Sequence, residues 1–245
     1  MKTKVAFITG ANKGLGLEMA RQLGQKGVRV YLGARDLKKV QAAVSELKKE
    51  KLDVLPVLCD VTNTSQIKDA VALIEKNEGK LDILINNAGI MIDSGAWMEN
   101  NAPTVSLEIV RKTYETNVYG VINVTQQFLP LLKKAPAARI VNMGSVLGSL
   151  TLHAQPGSPI YDAKSLAYNS SKSALNAVTV HFAHAVKDTK IKVNTAHPGW
   201  VKTDLGTEHA PMNVQDGAKT GVELALLDDK GPTAGFFHMG DKLPW

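Results

Sequence analysis

Tyr168 and Lys172 stand four residues apart within Ala167-Tyr168-Asn169-Ser170-Ser171-Lys172-Ser173-Ala174, a stretch that reads as helix. That spacing sets both side chains on one helix face. A lysine ammonium beside a phenol favours phenolate and draws the group down from its reference near ~10, which makes tyrosine a usable general acid or base. Taken alone, the same spacing describes a tyrosine walling an amphipathic helix beside an exposed lysine, and this is the commoner case. Other signals must decide.

One of them is Thr9-Gly10-Ala11-Asn12-Lys13-Gly14-Leu15-Gly16, between a strand-like run and a helical one. Glycines there let the chain turn sharply and let a pyrophosphate approach backbone N–H groups at a helix N-terminus. The spacing is not G-x-G-x-x-G, and glycine-rich turns also serve plain packing. Beyond the second strand come Gly33-Ala34-Arg35, with no carboxylate before Asp36. An acid at that position would hold a ribose 2′-hydroxyl, whereas Arg35 with Lys13 can clasp a 2′-phosphate. Two solvated surface cations are the alternative. The cofactor expected is NADP(H).

These groups need a frame. Short Val- and Ile-rich runs at 5–9, 28–32, 54–58, 83–85, 140–143, 191–195 and 235–238 alternate with helical stretches at 15–25, 37–49, 65–77, 106–134, 165–187 and 218–227. Asp60 and Thr64 are candidate caps for the third helical stretch, and Pro130 is expected to bend or end the long helix. Strands without strict polar alternation are buried on both faces, as in a parallel sheet, and the helices supply its crossovers. The expected fold class is α/β, a single-domain, doubly wound, Rossmann-type parallel sheet with helices on both faces. No linker or repeat divides residues 1–245. Two irregular stretches, 149–163 and 201–216, are read as loop insertions over the substrate site.

Composition agrees with a soluble globule. In 245 residues, 44% are hydrophobic and 21% charged, which excludes wholesale disorder. The single cysteine, Cys59, forbids an intrachain disulfide. Lys and Arg exceed Asp and Glu by 29 − 23 = +6, a balance that suits an anionic ligand. The cations are dispersed, so nucleic acid is not an expected partner. No apolar run approaches the roughly 18 residues of a membrane span. Residues 1–4 lead straight into a strand rather than a signal segment, and the expected setting is the cytoplasm.

With these markers in order, together with Asp60-Val61, Asn86-Asn87-Ala88-Gly89, Asn117, Ser145 and Pro198-Gly199, the chain resembles the short-chain dehydrogenase/reductase family from about Lys4 to Trp245. The resemblance implies cofactor contacts from Gly10, Asn12, Lys13, Gly14, Leu15, Gly16 and Arg35. It gives the adenine to Asp60 and Val61 and the ribose side to Asn87, Ala88 and Gly89. Pro198, Gly199, Val201 and Thr203 look like residues that hold the nicotinamide carboxamide. The implied catalytic group is Asn117, Ser145, Tyr168 and Lys172. Tyr168 and Lys172 also meet the cofactor, Ser145 hydrogen-bonds the substrate oxygen where charge accumulates, and Asn117 resembles the residue that holds a relay water behind the lysine. The implied activity is NADPH-dependent reduction of a ketone or aldehyde to an alcohol, reversibly, by a homo-oligomer, dimer or tetramer. Rival readings are a biosynthetic ketoreductase on a steroid, acyl or sugar substrate, and a non-enzymatic NADP(H)-binding redox sensor.

One departure stands out. Ser145 and Tyr168 are 23 residues apart, longer than is usual for that family. Tyr161-Asp162-Ala163-Lys164 is a decoy, its lysine one residue too close. His181 and His184 have no evident third ligand, so no metal site is expected. His153 lies where it can reach a substrate or serve as an ordinary loop residue. Trp97, Met91, Met143, Val146, Trp200 and Leu205 are candidates for an apolar pocket wall.

Overall fold

A computed structural model describes residues 3–93 and 101–245. Eight strands form one sheet: β1 (Val5–Ile8), β2 (Arg29–Ala34), β3 (Val54–Leu58), β4 (Ile83–Asn86), β5 (Arg139–Met143), β6 (Lys192–Ala196), β7 (Phe236–His238) and β8 (Asp241–Lys242). Their order is β3-β2-β1-β4-β5-β6-β7-β8. The first seven pair in parallel, and β8 turns back antiparallel on β7 through a short hairpin for which the sequence pattern carries no expectation. The chain runs outward from β1 to β3, then crosses to β4 on the other side. Strand order therefore reverses between β1 and β4, where such sheets open a crevice at their carboxyl ends.

Side-chain alternation divides the core into two layers. Ala6, Ile8, Val30, Leu32, Ile83 and Ile85 face one side, against α1 (Gly14–Gln25), α2 (Leu37–Lys49) and α8 (Val214–Ala225). Val5, Phe7, Tyr31, Leu84, Ile140 and Val193 face the other, against α3 (Thr64–Glu78), α5 (Val121–Lys133) and the α7 helix (Leu166–Ala185). Phe7 and Phe128, both fully buried, stack at 4.7 Å between ring centroids, each burial contributing about 1.5–3 kcal/mol.

The elements depart from expectation in four places. The long helix is three pieces: α4 (Leu107–Tyr114), a π-helical segment Glu115–Gly120, and α5. Of the two outcomes expected of Pro130, bending or ending the helix, it is the ending that does not occur, since α5 continues to Lys133. Asn63, rather than Asp60 or Thr64, caps α3 by accepting from Ser65 and Gln66 N–H groups. Asp60 instead accepts from the Thr62 N–H and hydroxyl. Residues 149–163 are not wholly loop, since Ser149 caps a short helix, α6 (Leu150–Ala154).

Candidate active site

The turn after β1 is built from glycine for steric reasons. Gly10 and Gly14 have φ of +63° and +55°. A Cβ on Gly10 would lie 2.9 Å from Ala88 Cα, and one on Gly16 would lie 2.5 Å from Asn87 Nδ2 and 2.6 Å from the Gly10 carbonyl oxygen. Thr9 Oγ1 accepts from the Asn87 and Ala88 N–H groups, and Asn87 Nδ2 donates to the Thr9 and Gly10 carbonyls. Asn87 and Ala88 thus fasten the turn to the end of β4. Lys13 sits at the N-cap of α1 without capping it through its side chain. The first N–H groups of α1 therefore lack a side-chain acceptor from that position, as an anion site requires. Asn12 and Leu15 are half-buried in the turn.

Arg35 is exposed just past β2 and forms no ion pair among the described residues. Asp36 is already engaged, accepting from Lys39 N–H as the N-cap of α2. Lys13, expected beside Arg35, is ion-paired with Asp204 across the crevice. Val61 is buried where the π-helical segment passes, so close that a Cβ on Gly120 would lie 2.9 Å from Val61 Cγ2.

Ser145 begins the turn after β5, its Oγ accepting from Leu147 N–H at 3.2 Å. The same hydroxyl lies close enough to Tyr168 to favour phenolate. Lys172 rises from the next turn of α7, its Nζ 5.5 Å from the centroid of the Tyr168 ring and 2.9 Å from the Met143 carbonyl oxygen. Gly89 runs past both remaining members: a Cβ there would lie 3.4 Å from Asn117 Oδ1 and 3.5 Å from Lys172 Nζ. Asn117 is fully buried in the π-helical segment. It accepts from Ile90 N–H, and donates to the Ile90 carbonyl and to Ser171 Oγ. The four side chains expected from the sequence thus meet at the carboxyl edge of the sheet, near the phosphate turn.

Their electrostatics correct one expectation. Burial pushes Tyr168 up to about 12, with Ser145 pulling it down and the Asp93 carboxylate pushing it further up. Burial also brings Lys172 down to about 8. The lysine was expected to lower the phenol, but the loss of water around the ring dominates and raises it. The phenol is held in its acid form.

A profile of the short chain dehydrogenase family matches residues 4–213. The chain belongs to that family. It is 32% identical to the (+)-neomenthol dehydrogenase of Capsicum annuum, over 96% of each chain. Among solved structures it is similar to the carbonyl reductase Sniffer of D. melanogaster, 30% identical with a TM-score of 0.85 over 99% of this chain and 100% of that one. It also matches the NADPH-bound carbonyl reductase from chicken fatty liver at 28% identity and a TM-score of 0.85, over 100% of both chains.

In this short chain dehydrogenase the segment after β6 comes up against the turn after β1. Gly199, following Pro198, has φ +89°, and a Cβ on it would meet Met212 Sδ at 2.8 Å. Val201 is buried and bridges to Met212. Thr203 accepts from Gly206 N–H and approaches Gly14 of the phosphate turn. Of the apolar wall candidates, Met143 is core, packed with Met19 and Val222. Trp200 and Leu205 are exposed, Met91 and Val146 are half-buried, and Trp97 lies outside the described residues. His153 Nε2 bonds the Leu147 carbonyl and its Nδ1 meets Lys164 Nζ, so it braces the Ser145 turn from behind. Tyr161 is partly exposed, with the same lysine 5.0 Å over its ring. A pocket of about 410 Å³ is lined by Asn101, Ala102 and Pro103, by Leu150, His153 and Lys164, and by Leu166, Asn169, Ser170 and Ser173 of α7. At about 100° per residue, this is a different helix face from that of Tyr168 and Lys172. His181 and His184 are exposed, and no cluster of three metal-ligating side chains occurs among the described residues. No helix among them is long and apolar enough to cross a membrane.

Two contributors had no sequence signal. Asp93, an isolated acid in an irregular stretch, is fully buried and accepts from Tyr168 N–H at 3.0 Å. His197 accepts through Nδ1 from Val146 N–H, 3.2 Å away, tying the end of β6 to the Ser145 turn. Burial pushes its pKa down to about 3, which keeps it a neutral acceptor.

Proposed function

We propose that this short chain dehydrogenase reduces ketones and aldehydes to alcohols with NADPH, reversibly, with Tyr168 as the proton donor. One observation carries the reading: a buried, protonated phenol with the Ser145 hydroxyl beside it and the Lys172 ammonium over its ring, at the edge of a glycine cradle. Relatives support it, since the matched proteins include a neomenthol dehydrogenase and two carbonyl reductases, one bound to NADPH.

The cradle fits a dinucleotide. Gly10, Gly14 and Gly16 keep clear the space beside the uncapped first turn of α1, where N–H groups receive a pyrophosphate. Arg35 takes the 2′-phosphate, with Lys13 available once it leaves Asp204. Asp60 and Val61 flank the adenine, and Asn87, Ala88 and Gly89 carry the ribose side. Lys172 and Tyr168 border the nicotinamide half, whose carboxamide is held by Pro198, Gly199, Val201 and Thr203. When bound, the nicotinamide supplies the hydride.

The chain's own residues handle the oxygen. Ser145 donates a hydrogen bond to the carbonyl, where negative charge grows as the carbon is reduced. Tyr168 passes its phenolic proton to that oxygen, and in the reverse direction the phenolate removes it. Lys172 stabilises the phenolate left behind. Asn117 holds the Ile90 backbone and α7 in register, and it would hold the water of a proton relay behind Lys172.

We further propose one domain, a homo-oligomer in the cytoplasm, with segments 149–163 and 201–216 bordering an apolar substrate site. The test is loss of NADPH absorbance against a panel of ketones and aldehydes. Turnover abolished by Tyr168→Phe supports the reading. Tight NADPH binding with no turnover across the panel would reduce the protein to a nucleotide sensor.

A further inference from the structure

We infer that Asp93 is a positioning residue for the proton donor: its carboxylate anchors the first turn of α7 and sets the charge against which Tyr168 gives up its proton. The inference rests on the reading of Tyr168 as that donor.

The first N–H groups of a helix have no acceptor within it. Ser165 occupies the N-cap of α7, yet its side chain does not cap the helix. The Tyr168 N–H, in the first turn, is taken instead by Asp93 Oδ2 at 3.0 Å, from a residue 75 positions earlier in the chain. A carboxylate at a helix N-terminus also meets the positive end of the helix dipole. Asp93 follows the cofactor loop. Three residues before it, Ile90 is held by Asn117 through both its N–H and its carbonyl, and the same Asn117 amide reaches Ser171 of α7. The loop after β4 therefore reaches α7 at two points, directly at Tyr168 and through Asn117 at Ser171. Movement of this loop moves the phenol.

Anchoring alone would be served by asparagine, whose oxygen accepts the same bond. A fully buried carboxylate costs more to desolvate than an amide, and the Tyr168 phenol is one group on which its charge acts. The charged and titratable groups around the phenol, among the described residues, are Asp93 beyond β4 and Lys172 on its own helix, with the Ser145 hydroxyl from the turn after β5. Asp93 opposes phenolate and the other two favour it. Asp93 thus keeps the phenol in the form that donates.

The test uses Asp93→Asn, which retains the acceptor and removes the charge, and Asp93→Ala, which removes both. Asp93→Ser, keeping a small acceptor, replaces Asp93→Asn should that variant not fold. In the NADP+ complex, ionisation of Tyr168 is followed by tyrosinate ultraviolet absorbance, with Tyr168→Phe backgrounds subtracted. The midpoint in Asp93→Asn should fall by about one pH unit. Asp93→Ala should in addition lose about tenfold or more in kcat, with NADPH affinity retained. A midpoint in Asp93→Asn that coincides with the unmodified protein overturns the inference, whatever the turnover. A displaced midpoint in a protein that reduces no carbonyl compound upholds the charge effect and sinks the reductase reading instead.

Discussion

Lys172 aims its ammonium at the Met143 carbonyl, 2.9 Å away, while standing 5.5 Å from the centroid of the Tyr168 ring. The lysine is thus fixed by the end of β5 rather than by the phenol. Its ammonium is bonded to the sheet and faces the tyrosine ring. Both groups are buried, and burial moves them in opposite senses, the phenol up to about 12 and the ammonium down to about 8. Each is shifted toward its neutral form.

Replacing Tyr168 with Phe removes the donor and keeps the ring that packs in α7. Turnover should drop by about 10²–10⁴-fold with the NADPH dissociation constant unchanged, measured by fluorescence titration. Tyr161→Phe should retain activity, because Tyr161 is partly exposed and its neighbouring lysine is engaged by His153.

The lowered Lys172 has a consequence for stability. Between pH 8 and 10.5 the unfolded chain holds a proton on this lysine that the folded chain has released. Stability rises with pH wherever the unfolded state binds more protons. Thermal melts of the unmodified protein and Lys172→Met across this window should show the unmodified protein gaining relative to the variant as pH increases. Parallel curves would contradict the buried, depressed lysine.

Arg35→Ala should weaken NADPH binding by about tenfold or more, in line with a charge-assisted contact of roughly 1.5–3 kcal/mol. NADH, which lacks the 2′-phosphate, should be barely affected. Lys13→Ala should act in the same direction but more weakly, since it also breaks the ion pair with Asp204. Titrations with both nucleotides check this.

Gly16→Ala should collapse nucleotide binding and lower the melting temperature, because the new methyl would lie 2.5–2.9 Å from Asn87 Nδ2, the Gly10 carbonyl and Ala11 Cα. Gly27→Ala is the control. Its φ is +77° with nothing within 4 Å of the added carbon, so it should cost only about 1–2 kcal/mol of backbone strain and leave NADPH affinity intact.

Much of the site was legible because its spacing is local. The four-residue step from Tyr168 to Lys172 fixes a shared helix face, and glycines between a strand and a helix mark a turn that admits phosphate. The alternation of Val- and Ile-rich runs with helices determined the parallel α/β sheet, since strands buried on both faces need crossovers to cover them. What escaped depends on contacts distant in sequence. Asp93 reaches Tyr168 only because the loop after β4 passes the first turn of α7, and the π-helical segment that presents Asn117 has the same local pattern as an ordinary helix. The acidity of Tyr168 was decided by the fold as well. Sequence places a lysine near the phenol, but the balance between that attraction and the loss of water depends on how deeply β5, α7 and the loop after β4 enclose the pair.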